Sequence, residues 1–302
     1  MQIFYCDHHH IDLPAAHRFP IEKYRLLRES LMALNILPPE ELFEAPLVRR
    51  DDLVLAHSTE YVDAVLNGAL DARAARRIGL PPGPQLIRRS LASVGGSLAA
   101  SRAALRDGVS GNLAGGTHHA GRDFGEGFCL FNDLAVTAER LLHEGAVRRV
   151  AILDLDVHQG NGNADIFGDR DDVFVCSVHA DKNFPFRKVA SSLDIPLPDG
   201  TGDEEYLRAV QQALDATLSQ SPEIVLYQAG VDPLKDDSLG RLDVSLEGLR
   251  RRDARVLEAC AGRQLPIALS LGGGYTRPIG LTVQAHVQTY VEVRRVYGGH
   301  TR

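Results

Sequence analysis

Cysteine is scarce in this sequence, and the cysteines that are present do not form pairs. Cys6, Cys129, Cys176 and Cys260 are scattered, with no C-x-x-C spacing and no spacing typical of a disulfide framework. This pattern excludes a zinc site made of four cysteines. It predicts a reducing compartment, because disulfide-stabilised secreted proteins are rich in cysteines at regular spacings.

Long apolar runs and an excess of basic residues are also missing. No uncharged apolar stretch reaches the length of a membrane span, and the start, MQIFYCDHHHIDLP, has neither the basic nor the apolar region of a secretory signal. The formal net charge is −7, whereas binding to nucleic acid phosphates needs a basic surface. We therefore predict a cytoplasmic protein that binds neither nucleic acid nor a membrane.

Two kinds of catalytic motif are absent as well. The run GGG at 272–274 does not predict a nucleotide site, because neither GxGxxG nor GxxxxGK[ST] occurs. No serine or cysteine lies in a nucleophile motif, so a covalent acyl-enzyme is not expected.

From about residue 84, apolar segments with little alternation are separated by helical patterns of one to two dozen residues. This order predicts an α/β fold with a central parallel sheet covered by helices on both faces, in a single domain over residues 1–302. The predicted strands are GNLAGG, RRVAILDLD, DVFVCSV, EIVLYQAG and PIALSLGGG. The predicted helices cover 84–108, 131–145, 203–220 and 245–262, with a last one from about Pro278.

Unusual polar residues follow the predicted strands. The segments are GTHHAG, DLDVHQGNG, HADKNF, GVDPLKDD and GGGYT. In open α/β sheets ligands bind beyond the carboxyl ends of the strands, so we expect the active site at this edge.

Three of these residues predict a catalytic metal site. Asp156, His158 and Asp232 offer two carboxylates and one imidazole, which leaves a coordination position open for water, as in catalytic zinc sites. Spacing alone does not decide between Asp154 and Asp156. The alternative is that the acids cap turns and that His158 is a buried, hydrogen-bonded histidine.

Histidines and a tyrosine at the same edge suggest proton transfer and oxyanion stabilisation. His118 and His119 are adjacent and point in different directions, so one of them is the candidate proton carrier. Tyr275 follows glycines, Gly273 among them, that let the backbone approach a ligand closely, and its phenol is a candidate donor to a developing oxyanion.

The motifs GGTHHAG…GFCLFND, DLDVHQGNG, GVDPLKDD and LGGGYT resemble, in order and spacing, those of the zinc-dependent histone deacetylase family, which has the arginase-like fold. The segment HRFPIEKYRLL and the variant DVHQGN are most similar to class IV-like bacterial members. The resemblance implies that Asp156, His158 and Asp232 bind Zn²⁺, with Fe²⁺ as the alternative. It implies that His119 is the general base, His118 its electrostatic partner and Tyr275 the residue that polarises the acyl carbonyl.

The resemblance also implies roles around this centre. Asp154 would lie behind His118 and, with Ser177, bind a structural K⁺. Gly127, Phe128, Leu239 and Phe184 would line the acyl-lysine tunnel. Arg18 and Lys23 would face an internal cavity that holds the leaving acetate. Many relatives have an aspartate where this chain has Asn161. We therefore hypothesise that Asn161 stabilises protonated His119 less than an aspartate would.

The expected function is hydrolysis of the amide of N-acyl-lysine, with an acetyl or longer fatty acyl group, in a protein or small-molecule substrate. One alternative is the deacetylation of small acetylated amines such as acetylpolyamines. Another is an acyl-lysine binding module without activity, although His118, His119 and Tyr275 are all present. A two-manganese ureohydrolase is disfavoured, because residue 160 is glycine where that site needs a further carboxylate.

Overall fold

A computed structural model of the chain describes residues 1–14, 16–168 and 170–298. Its centre is a sheet of eight parallel strands in the order β2-β1-β3-β8-β7-β4-β5-β6. The strands are β1 (Ile3–Tyr5), β2 (Leu42–Glu44), β3 (Val109–Asn112), β4 (Val150–Asp154), β5 (Val173–Ala180), β6 (Leu193–Leu197), β7 (Ile224–Gln228) and β8 (Ile267–Ser270).

Helices connect these strands and cover the sheet. They are α1 (Glu22–Ala33), α2 (Arg50–Ala56), α3 (Thr59–Leu66), α4 (Ala72–Ile78), α5 (Pro84–Asp107), α6 (Asp133–His143), α7 (Asn161–Phe167), α8 (Asp203–Ser219), α9 (Leu246–Ala261) and α10 (Gly280–Tyr297). Within the described residues, no helix has both the length and the apolarity needed to cross a membrane.

Both faces of the sheet are buried, as the continuous apolar runs predict. Ile152 of β4 and Leu226 of β7 pack with α2, α3, α5 and α6, whereas the next residues, Leu153 and Tyr227, pack with α8, α9 and α10. Successive side chains of a strand point to opposite faces, so a strand buried on both sides is apolar at most consecutive positions. The predicted parallel α/β sheet is confirmed. The single domain predicted over 1–302 extends past the last described residue, and the domain division stays a prediction.

Two local predictions were wrong. The strand expected over GNLAGG begins earlier, at Val109, and ends at Asn112. Gly115 and Gly116 instead turn the chain with φ of 80° and 76°, which suits glycine. The second error is at α7, where no helix was predicted although one begins at Asn161. The edge strands β2 and β6, and β1 next to β2, were missed because they are short or partly exposed and lack a clear apolar run.

A fully buried arginine ties the ends of β4 and β7 together. The Arg252 side chain, on α9, donates hydrogen bonds to the carbonyl oxygens of Leu155 (3.5 Å) and Gly230, just beyond these two strands. Its charge is balanced by Asp253, whose carboxylate accepts from Arg252 Nε at 2.8 Å and from the hydroxyl of Tyr227 at 2.6 Å. Arg252 therefore holds together the backbone segments that carry Asp156 and Asp232.

We expect Arg252→Ala to destabilise the protein by about 3–5 kcal/mol, because it leaves the buried Asp253 carboxylate without its cation and the Gly230 carbonyl without a donor. The neighbouring Arg251 is the matched control: it is on the same helix and pairs with exposed Glu204, so Arg251→Ala should leave the unfolding midpoint nearly unchanged. Urea unfolding curves measure both. Equal urea midpoints for the two variants would contradict the proposal that Arg252 stabilises the protein by holding the ends of β4 and β7 together.

Candidate metal centre and catalytic pocket

The candidate residues converge at the carboxyl edge of the sheet. Asp156 and His158 follow β4, Asp232 follows β7, the pair His118–His119 follows β3, and Tyr275 follows β8. The loops meet because the strands are parallel and their carboxyl ends lie at one edge.

Asp156, His158 and Asp232 are buried, and one ligand atom from each lies within 4.8 Å of the others. His158 Nδ1 is 3.1 Å from Asp156 Oδ1 and 3.1 Å from Asp232 Oδ2. A tetrahedral site with metal–ligand bonds of about 2.0 Å has edges of roughly 3.3 Å. The donor set and its spacing therefore fit a zinc ion.

The remaining carboxylate oxygens are held by backbone N–H groups. Gly273 N donates to Asp156 Oδ2 at 2.7 Å, and Val157 N donates to Asp232 Oδ1 at 2.9 Å. A Cβ at Gly273 would overlap the carboxylate of Asp232, and a Cβ at Gly230 would overlap that of Asp156. Only glycine fits at these positions, because any side chain would displace a predicted ligand.

The electrostatics of the triad indicate a site for a cation. Burial, together with the nearby charge of Asp156, raises the pKa of Asp232 to about 7. Burial lowers the pKa of His158, but hydrogen bonds to Asp156 and Asp232 outweigh it and raise the pKa to about 10. Two buried carboxylates close together repel each other, and a bound cation would relieve that repulsion.

The two adjacent histidines have different partners. His118 Nδ1 lies 2.7 Å from Asp154 Oδ2, and His119 Nδ1 lies 2.7 Å from Asn161 Oδ1. Burial opposes the charged form of His118, but Asp154 and Asp156 outweigh it and raise the pKa. Burial and the nearby His118 hold the pKa of His119 well below its ordinary value.

The chain of contacts from His119 continues to a residue that the sequence did not point to. Asn161 Nδ2 donates to Glu126 Oε1 at 2.6 Å, and Arg77 Nε donates to Glu126 Oε2 at 2.7 Å. The Glu126 side chain is only 11% exposed. Its position directly before Gly127 and Phe128 was the available signal, but nothing in the sequence linked it to Asn161.

A cavity of about 550 Å³ leads from the surface to this centre. Its lining includes His118, His119, Asp156, His158 and Tyr275, together with the predicted tunnel residues Gly127, Phe128, Phe184, Leu239 and Gly273. The Phe184 ring stands edge-on to His119, with centroids 4.9 Å apart.

The other predicted residues lie behind or outside this lining. Ser177 is paired in register with Asp154 across β4 and β5, and its hydroxyl lies 3.0 Å from His179 Nδ1. Lys23 is buried, and its Nζ donates to the Gly272 carbonyl at 3.1 Å and lies 5.2 Å from the centroid of the Tyr275 ring. Burial lowers the pKa of Lys23 to about 8. Arg18 was expected to face an internal cavity, but it is exposed at the cavity entrance.

Tyr275 is held in the pocket by its backbone. Its N–H donates to Asp237 Oδ2 at 2.6 Å, and the other oxygen of Asp237 accepts from the N–H groups of Leu239 and Gly240. Asp237 thereby joins the segment that carries Tyr275 to the segment that carries Leu239. The sequence showed Asp237 only as part of GVDPLKDD, without a role.

Comparison with known proteins places this arrangement in a family. The histone deacetylase domain matches residues 17–290. An uncharacterized protein of Picosynechococcus sp. is 42% identical over 286 residues, covering 94% of this chain and 95% of that protein. Histone deacetylase 2 of Arabidopsis thaliana is 30% identical over 271 residues, covering 86% of this chain and 70% of that one.

The fold agrees with a solved member of the same group. The crystal structure of an HDAC homolog complexed with SAHA superposes with a TM-score of 0.83 at 26% identity, covering 98% of this chain and 84% of that one. The predicted arginase-like fold is confirmed by this match. On the domain match and these relatives, the chain belongs to the histone deacetylase family.

Proposed function

We propose that this protein is a zinc-dependent deacylase that hydrolyses the side-chain amide of N-acyl-lysine, with acetyl or longer fatty acyl groups. One observation carries the proposal: a three-donor metal centre, a paired histidine and a tyrosine meet in one cavity lined by Phe128 and Phe184. A substrate side chain that enters this cavity brings its amide to all three groups.

Asp156, His158 and Asp232 would hold the metal, zinc in the first place and ferrous iron as the alternative. A metal ion in such a site lowers the pKa of water toward about 7 and polarises a carbonyl group. The chain holds the three donors with backbone N–H groups and glycines, so little rearrangement is needed when the ion binds. A structural K⁺ beside Asp154 and Ser177 belongs to the same proposal.

His119 acts as the general base in this proposal. Its low pKa keeps the imidazole neutral near pH 7, and a positioned base of this kind contributes roughly 10²- to 10⁴-fold to the rate. His118, whose pKa is raised next to Asp154, is its electrostatic partner. His119 accepts a proton from the attacking water and then gives it to the leaving amine as the amide C–N bond breaks.

Tyr275 donates its phenolic hydrogen to the oxygen of the scissile carbonyl. Burial and the charges of Asp232 and Asp156 raise its pKa well above the ordinary value, so the phenol stays protonated at neutral pH. Such a donor strengthens its hydrogen bond as negative charge develops on the oxygen, and its removal costs on the order of 3 kcal/mol of transition-state stabilisation.

Two other functions are tested together with this one. Small acetylated amines such as acetylpolyamines would use the same chemistry and differ only at the entrance. A binding module without activity would hold acyl-lysine and leave the amide intact. Peptides that carry acetyl-, octanoyl- or myristoyl-lysine and acetylpolyamines therefore form one substrate panel.

We expect the zinc-loaded protein to hydrolyse at least one acyl-lysine peptide. His119→Ala should lower kcat by roughly 10²- to 10⁴-fold, and Tyr275→Phe by roughly 10²- to 10³-fold. His143→Ala, in an exposed position of α6, and Tyr297→Phe, at the end of α10, are the controls and should retain full activity. No turnover of any substrate by wild type, or equal rates in wild type and both site variants, would refute the deacylase proposal.

Asp232→Ala should weaken zinc binding by more than about 100-fold. Loss of a residue that only hydrogen-bonds to a metal ligand already costs roughly 10- to 100-fold in affinity. The larger effect is expected because Asp232→Ala removes one of three donors rather than a neighbour of one. Exposed Asp236 is in the same loop, and Asp236→Ala is the matched control. Competition with a chelating dye measures both affinities directly. An unchanged affinity in Asp232→Ala would remove Asp232 from the metal site.

A further inference from the structure

The cavity entrance is basic, although the protein as a whole carries a formal charge of −7. Five exposed basic residues lie in the lining: Arg18, Arg76, Arg77, Lys182 and Arg241. Among the described residues that line the cavity, the only carboxylate is that of Asp156, which is buried at the metal centre. The charge of the entrance is thus opposite to that of the whole chain.

Three of these cations are not neutralised by a protein carboxylate. Arg77 pairs with Glu126, and Arg241 pairs with Asp199 at 3.2 Å. Arg18, Arg76 and Lys182 form no ion pair with any residue that the structure describes. An unpaired cation beside a cavity attracts anions at long range, since field lines concentrate in a cleft with low-dielectric walls.

The basic residues surround the entrance and are attached to its walls. The end of α4, with Arg76 and Arg77, bonds to the tunnel wall, since Phe128 N donates to the carbonyl of Ile78 at 2.8 Å. Asn183, next to Lys182, donates to the carbonyl of Leu239, another residue of the lining, at 2.6 Å. The segments that carry Arg76, Arg77 and Lys182 are therefore attached to residues of the cavity lining.

An aromatic side chain also projects at this entrance. Phe186 lines the cavity and is 86% exposed, which is unusual for a large apolar side chain. Basic residues from several segments and one exposed aromatic ring make a contact surface wider than the tunnel mouth. Such a surface suits a polypeptide that lies across the entrance while one side chain enters.

We infer that the substrate is an acyl-lysine in an acidic segment of polypeptide, with aspartate or glutamate on either side of the modified lysine. This inference rests on the proposed deacylase function and names the substrate class for it. A polycationic amine such as acetylspermidine is disfavoured, because its charges would meet Arg18, Arg76 and Lys182.

Three acyl-lysine peptides that differ only in their flanking residues test this inference. With aspartate, serine or lysine flanks, kcat/KM should fall in that order, by roughly tenfold between the first and the last. The difference should shrink in about 0.5 M salt, which screens exposed charges. A small N-acyl amine that carries carboxylates, tested beside the peptides, shows whether the charge alone suffices or a polypeptide is needed.

The double variant Arg76→Glu, Lys182→Glu should reverse the preference toward lysine flanks. Arg263→Glu makes the same kind of charge change at the exposed end of α9, near the opposite edge of the sheet, and should leave the order unchanged. Equal kcat/KM for the three peptides, or a better rate on the small anionic amine than on the acidic peptide, would overturn the inference. No turnover of any of the three peptides, or of any other substrate in the panel, would instead refute the deacylase proposal itself.

A second, independent observation concerns the contacts behind His119. His119 Nδ1 lies 2.7 Å from Asn161 Oδ1, and Asn161 Nδ2 donates to Glu126 Oε1 at 2.6 Å. The other oxygen of Glu126, Oε2, accepts from Arg77 Nε at 2.7 Å. A carboxylate can only accept hydrogen bonds, so the NH₂ group of Asn161 must face Glu126. The amide oxygen then faces His119 and can only accept.

The geometry points to Glu126 as a positioning residue that sets the tautomer of His119 through Asn161. With the amide oxygen against it, Nδ1 must carry the hydrogen, and Nε2 keeps its lone pair for the substrate side. An isolated asparagine could turn its amide by 180° and present NH₂ to His119, which would favour the wrong tautomer. Glu126, held by Arg77, prevents that turn.

A double-mutant cycle separates this role from a purely structural one. Glu126→Met should lower kcat by roughly tenfold with little change in KM, as expected for the loss of a residue that orients a functional group. In the Asn161→Asp background the same substitution should not lower kcat, because either oxygen of an aspartate accepts from Nδ1. Thermal unfolding of each variant shows that it is folded.

Equal losses of kcat for Glu126→Met in both backgrounds would overturn the positioning role, because packing around Glu126 would then be the cause. An unchanged kcat in the single variant would overturn it as well. Each kcat is compared with that of wild type on the best peptide of the panel. If the deacylase proposal fails, wild type itself is inactive, so that failure is distinguished from a failure of the positioning role.

Discussion

The whole site depends on holding two buried carboxylates, Asp156 and Asp232, close together. In a low-dielectric pocket their repulsion is costly, and it contributes to the raised pKa of Asp232. The chain offsets this cost with His158 between them and with backbone N–H groups on their outer oxygens. Beneath them, buried Arg252 fixes the two strand ends from which they project. A site prepared in this way is stabilised further by a cation.

The charges of the pocket change with depth, and each layer suits a different part of the proposed substrate. The floor is acidic and suits a metal ion. The middle is apolar, with Phe128 and Phe184 on its walls, and suits an acylated and therefore uncharged lysine side chain. The entrance is basic, with Arg18 and Lys182 among its residues. In the proposed function, the residues that would carry out the chemistry and those that would select the substrate therefore lie at different depths of one cavity.

Much of the fold could be predicted because the central strands are buried on both faces. The strands β4, β5, β7 and β8 are buried and mostly apolar, with polar residues only towards their carboxyl ends, and they were found from the sequence. The strands β1 and β2 have three residues each, and β2 is largely exposed, so neither leaves such a pattern. The N-terminal part of α7 was missed for another reason: its glycines and asparagines favour a turn locally, and only packing makes that segment helical.

The sequence by itself determined which residue types lie at the carboxyl edge of the sheet, because parallel strands bring their ends together wherever they are in the chain. It was sufficient to predict Asp156, His158, Asp232, His119 and Tyr275 as one group. The tertiary structure alone decided the partners that act across loops. Glu126 reaches His119 through Asn161, 35 residues later in the chain, and Arg18 lies at the entrance instead of inside. These contacts depend on how separate loops pack, and no local pattern encodes that packing.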